Sequence, residues 1–178
     1  ECESPNTPET VHTLASITKS FTAIAILQLQ ERNLLSLEDP VSKYLPDYPQ
    51  GDRIKLHHLL TPTSGIRSYV FLPGYAKNRR LPLRIEEVID WFKSEPLEFS
   101  PGERFSYSNS GYALLTYVIQ AVSGKNYADY LEENVFAPAG MTSSAVDAYS
   151  RVVPGRATGY SRDGCSGQAT RAEFSEPA

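Results

Sequence analysis

The most constraining stretch of this chain is the uncharged run between Lys19 and Glu31, Ser20-Phe21-Thr22-Ala23-Ile24-Ala25-Ile26-Leu27-Gln28-Leu29-Gln30. A run apolar around most of a helical circumference belongs in a core, so a buried α-helix is expected over residues 16–32. Thr10-Val11-His12-Thr13-Leu14 is expected as a short strand delivering the chain to it. At the head of the helix stands Ser16-Ile17-Thr18-Lys19. Residues at i and i+3 share one helix face, which sets the Ser16 hydroxyl beside the Lys19 amine. Apolar surroundings strip the ammonium of its hydration and favour the neutral amine, which can take a proton from serine. The pattern fixes only two positions, and a capping serine followed by a snorkelling lysine satisfies it too. That alternative explains Ser16 but explains Lys19 poorly.

A second element follows Ser16 by 91 residues, in Phe105-Ser106-Tyr107-Ser108-Asn109-Ser110-Gly111-Tyr112-Ala113-Leu114-Leu115. S-x-x-K on an apolar helix, followed by Y-x-N running into G-Y-x-L-L, resembles the serine β-lactamase and DD-peptidase superfamily. The resemblance is to its class C-like branch, which also holds esterases and D-amino-acid amidases. Further segments carry it: Leu37-Glu38-Asp39-Pro40-Val41-Ser42-Lys43-Tyr44-Leu45-Pro46, Leu59-Leu60-Thr61-Pro62-Thr63-Ser64-Gly65-Ile66, Pro101-Gly102, Val122-Ser123-Gly124 and Pro138-Ala139-Gly140-Met141. Together they run from about residue 6 to 160. Pro62 stands where the family usually has histidine, and Ala139 where it usually has leucine.

The resemblance implies an α+β chain of β-lactamase/transpeptidase-like fold, incomplete and mostly the helical lobe. It divides into a strand over 1–15 leading into a lobe over 16–145, with a loop-rich tail over 146–178. Ser16 becomes the nucleophile of a hydrolase working through an acyl-serine intermediate, and Lys19 its basic partner. Tyr107 becomes a phenolic acid/base and Asn109 a hydrogen-bonding contact to substrate. A phenol beside an ammonium is favoured as phenolate, so either Lys19 or Tyr107 can take the serine proton. Asn109 donates and accepts at once, which suits an amide or ester carbonyl. Read without the resemblance, Tyr107 would be a packing aromatic and Asn109 a helix N-cap. The implied substrate is a small-molecule or peptide-like acyl donor, an ester, amide or β-lactam, and no cofactor is implied. A class C-like β-lactamase, a D-alanyl-D-alanine carboxypeptidase and an inactive binding remnant are the other readings. The family closes its site with K-T-G or H-x-G on a late strand, and neither follows Gly140, so an incomplete domain is expected.

Composition excludes several other functions. A net charge of −4 and a pI near 5.4 provide no basic footprint for nucleic acid. The longest apolar stretch, residues 21–29, is shorter than the ~20 residues of a membrane-spanning helix. Cys2 and Cys165 lie in polar end segments and form no disulfide framework, which leaves the compartment and oligomeric state open; the resemblance implies a periplasmic or secreted setting, with a cytoplasmic one as the alternative. His57-His58 has no accompanying carboxylate–histidine spacing, and adjacent side chains are expected to diverge, so no metal site is expected there. His12 is read as structural.

Further helices are legible from period and punctuation. Asp39 is expected to cap a short helix with Pro40 at its first position. Ile85, Val88, Ile89 and Phe92 mark a surface helix of about ten residues. Ser108 or Asn109 starts another that Gly124 stops, and Tyr127, Leu131 and Val135 stripe the next before Pro138. The tail after residue 150 carries few large apolar residues and reads as loop or weak strand.

Overall fold

The computed structural model describes residues 5–78, 81–148, 152–162 and 169–171; Cys2 and Cys165 lie outside them. The chain divides into two compact units, one of residues 19–145 and one of residues 1–18 with 146–178.

The larger unit is helical. Helix α1 spans Thr18–Glu31, α2 Leu56–Leu60, α3 Tyr75–Asn78, α4 Ile85–Phe92, α5 Asn109–Ser123 and α6 Tyr127–Leu131. A wide π-turn, Glu132–Phe136, extends α6. The core is built around α5, whose Leu114, Leu115, Val118 and Ile119 are all at most 1% exposed. Against α5 pack α2, through Leu56 and Leu59, and α4, through Ile89 and Phe92. Each such side chain contributes about 1.5–3 kcal/mol relative to leaving it in water. Ser108 caps α5, its Oγ accepting from the Gly111 N–H, and Gly124 ends the helix in the left-handed conformation at φ 68°.

Helix α1 departs from the expectation of burial all round. Thr22, Ala25, Ile26 and Leu29 are buried, whereas Ile24 and Leu27 on the other side are 43% and 48% exposed. The buried face is tied to the α6 region along its length. Thr22 Oγ1 and Tyr127 Oη share a buried 2.7 Å hydrogen bond, and Phe21 meets Phe136 edge-on at 5.4 Å. Gln28 Nε2 donates to Asn134 O at 2.8 Å.

Three local expectations are corrected. Asp39 does not cap a helix: its carboxylate folds back on a turn, accepting from Ser36 N, Lys43 Nζ and Tyr44 Oη, and a 3₁₀ turn, Val41–Lys43, follows Pro40. Helix α4 stops at eight residues because Lys93 and the Pro96 beyond it end the repeat. His57 and His58 do not diverge; their rings meet edge-on at 4.1 Å, because His58 bends back so that Nδ1 accepts the Lys55 N–H at the start of α2.

In the smaller unit the expected strand at residues 10–14 reduces to one parallel bridge, Val11 with Arg156. Val11 N–H donates to Gly155 O and Ala157 N–H to Val11 O. Arg156 also reaches Asp147 and the Thr13 hydroxyl. Strands β1, Tyr160–Arg162, and β2, Ala169–Arg171, pair antiparallel.

Candidate active site

Lys19 and the Y-x-N triplet, remote in sequence, meet in the larger unit. Lys19 Nζ, in the first turns of α1, donates to Asn109 Oδ1 at 2.7 Å across 90 residues of chain. The same ammonium lies 4.9 Å from the centroid of the Tyr107 ring and 5.5 Å from that of Tyr112. Both are within the ~6 Å at which a cation is attracted by an aromatic face. Lys19 is half-buried, not buried as its uncharged flank suggests, because it stands near the end of the helix and reaches sideways to α5. Tyr107 is 46% exposed, which is not the environment of a packing aromatic. Asn109 is not the cap of α5, since buried Ser108 fills that position, and its side-chain oxygen is committed to Lys19.

The placement of the triplet follows from the segment at residues 59–69, which runs alongside it. Ser106 N–H donates to Pro62 O and Gly102 N–H to Thr63 O. Asn109 N–H donates to Ser68 Oγ at 3.1 Å. Ser110, fully buried, donates from Oγ to Arg67 O at 2.7 Å and accepts the Tyr69 N–H at 2.9 Å. Tyr112 donates from Oη to Leu60 O at 3.1 Å. Burial and the neighbouring Tyr107 hold the Tyr112 phenol above its usual range. Gly65 is the tightest point of this seam: at φ 78° its absent Cβ would lie 2.2 Å from Phe99 O, and its carbonyl accepts the Glu98 N–H. Thr-x-Thr-Ser-Gly is thus a clamp on the backbone leading into Tyr107. Pro62, in place of the usual histidine, sits at φ 22°, far from the value near −65° that its ring prefers.

Ser16 belongs to the smaller unit. It is exposed and occupies the 3₁₀ turn Ala15–Ile17, which leads directly into α1. Its predecessor Ala15 has φ 46°, a conformation that L side chains rarely adopt and that recurs where a backbone must present a reacting group. The single helix expected over 16–32 is therefore a tight turn followed by an α-helix. Among the described residues no three histidine, cysteine or carboxylate side chains cluster as metal ligands, and no helix is long and apolar enough to cross a membrane. Tyr112 is expected from the sequence only as part of the G-Y-x-L-L segment, with no role at the site; its position three residues after Asn109, on the same helix face, was the available signal.

The fold these elements make is that of the β-lactamase and transpeptidase proteins. A penicillin-binding protein from Bacillus halodurans superposes with a TM-score of 0.82 at 36% identity, over 97% of this chain and 53% of that one. The D-amino acid amidase from Ochrobactrum anthropi SV3 aligns with a TM-score of 0.80 at 27% identity, over 91% of this chain and 46% of that one. In sequence, the putative penicillin-binding protein PbpX of Bacillus subtilis (strain 168) is 36% identical over 159 residues, 89% of this chain. The family model described as Beta-lactamase matches residues 1–178, and the chain belongs to the β-lactamase family. It spans 30% to 39% of the length of the Bacillus subtilis penicillin-binding proteins it matches, and about half of the solved chains.

Proposed function

We propose that this chain carries the acylation centre of a serine hydrolase, with Ser16 as nucleophile, Lys19 and Tyr107 as its acid/base pair and Asn109 as the contact to substrate. The observation that supports this most is the 2.7 Å bond from Lys19 to Asn109, which joins the S-x-x-K and Y-x-N motifs. In the first step the Ser16 oxygen attacks an acyl carbonyl while its proton passes to the Lys19/Tyr107 pair. The bond to the leaving group then breaks, and that proton leaves with it. Water repeats the sequence on the acyl-serine and returns the serine hydroxyl.

Relatives named as penicillin-binding proteins and D-amino acid amidases favour an amide or peptide-like acyl donor over an ester. Labelling with a fluorophosphonate or a β-lactam, followed by mass spectrometry of the adduct, tests the assignment. Label is expected on Ser16. Ser64 and Ser108, only 2% and 3% exposed, are the internal controls. Label on either of them with Ser16 unmodified would overturn the assignment.

A further inference from the structure

Tyr107 and Asn109 belong to the Y-x-N triplet, and Tyr112, in the G-Y-x-L-L segment that follows it, also addresses Lys19. The centroid of the Tyr112 ring lies 5.5 Å from the Lys19 ammonium, and that of the Tyr107 ring 4.9 Å from it. With Asn109 Oδ1 as hydrogen-bond acceptor, the ammonium has three neighbours from one short stretch of chain, residues 107–112.

We propose that Tyr112 is a positioning residue for Lys19, its aromatic face forming one wall of a cage that fixes where the ammonium points. A lysine has a long flexible stem, and hydrogen bonding alone fixes the direction of its head only loosely. Two aromatic walls remove that freedom, and their attraction for a cation adds to Asn109's hold. The phenol end of Tyr112 is itself anchored, donating to Leu60 O at 3.1 Å, so the wall does not rotate away. That anchor lies at the end of α2, immediately before the Thr61–Gly65 clamp, so one seam holds both the Y-x-N backbone and the Tyr112 wall. Tyr112 and Tyr107 are nevertheless unlike. Tyr107 is 46% exposed, whereas Tyr112 is half-buried with its proton committed to a carbonyl. The upward displacement of the Tyr112 phenol, caused first by burial and then by Tyr107, agrees with a wall that stays neutral.

This inference rests on the proposed serine chemistry for its consequence but not for its geometry, and the test separates the two. Phenylalanine and its mono-, tri- and pentafluorinated analogues are placed at position 112 of the full chain. Fluorine withdraws charge from the ring face with little change of volume, so a residue that merely fills space does not respond. The maximal rate of fluorophosphonate labelling at Ser16 is expected to fall stepwise along the series, by about tenfold from phenylalanine to the pentafluoro ring. The reagent concentration for half-maximal rate should stay constant. A flat or rising series overturns the proposal. In parallel, the Lys19 side-chain methylene resonances are followed by NMR, which needs no reaction at all. In the native chain they are expected upfield of exposed lysines such as Lys93 and Lys125, and in Tyr112→Leu they should move towards them. Should Ser16 prove unreactive, the serine chemistry fails, and the NMR result alone then decides the cage. Lys19 resonances already coincident with those of exposed lysines in the native chain would sink it.

Discussion

At the scale of single residues, the decisive positions are those where backbone passes close to backbone. Gly65 is the clearest, because its positive φ and the Phe99 carbonyl lying 2.2 Å from a would-be Cβ both forbid a side chain. Gly65→Ala is expected to destabilise by about 3 kcal/mol or more, since strain and overlap add and the neighbour is a main-chain atom that cannot rotate aside. Urea unfolding measures this. Gly140→Ala, where positive φ occurs with nothing within 4 Å of the added methyl, is the companion substitution and should cost distinctly less. Equal losses at the two glycines would mean that the Phe99 contact carries no weight. The motif Thr-x-Thr-Ser-Gly then has a physical reading, in which glycine lets two strands of backbone touch and serine and threonine supply short-range hydrogen bonds.

At the scale of elements, the turn over residues 36–44 shows how a helix cap and a turn share one sequence signature. Asp39-Pro40 announces a helix start, yet the Asp39 carboxylate accepts from Ser36 N at 2.8 Å, Lys43 Nζ at 2.8 Å and Tyr44 Oη at 2.5 Å. Burial alone would raise the Asp39 pKa, but the hydrogen bonds from Lys43, Tyr44 and Ser36 outweigh it and the net shift is downward. A depressed carboxyl contributes stability that is fully present above the unfolded value near 4 and lost as pH falls through the folded one. Asp39→Asn is therefore expected to lower the thermal midpoint at pH 7, with the difference from the native chain shrinking below about pH 4. A difference that persists undiminished at acid pH would assign the effect to shape and not to charge.

Helix α4 was legible from its apolar spacing, and α5 from apolar spacing that agrees with its caps, Ser108 and Gly124. Helices α2 and α3, of five and four residues, are too short to show a period, and tertiary contact with α5 and the neighbouring turn holds them instead. The motif residues Lys19, Tyr107 and Asn109 were legible as types at spacings. The exposure of Ile24 and Leu27 was not, since a sequence apolar on two faces does not say which face its own unit covers.

At the scale of the whole molecule, the larger unit's first helix is joined to the region of its last by hydrogen bonds of long sequence reach. The buried pair Thr22–Tyr127 spans 105 residues. Thr22→Val keeps the shape of the side chain and removes the hydroxyl, leaving the phenol unsatisfied. A loss of about 1–3 kcal/mol in equilibrium unfolding is expected, and Thr22→Ser should recover much of it. No loss in the valine variant would place the Tyr127 hydroxyl in contact with water. The Lys19–Asn109 bond has the same long reach, and this gives it a kinetic meaning. Closing a loop of 90 residues costs about 4 kcal/mol of chain entropy, which no single hydrogen bond repays. The bond therefore forms only after α5 has condensed on its neighbours, so the cage around Lys19 is among the last features to assemble during folding and reports completion of the unit, not its nucleation.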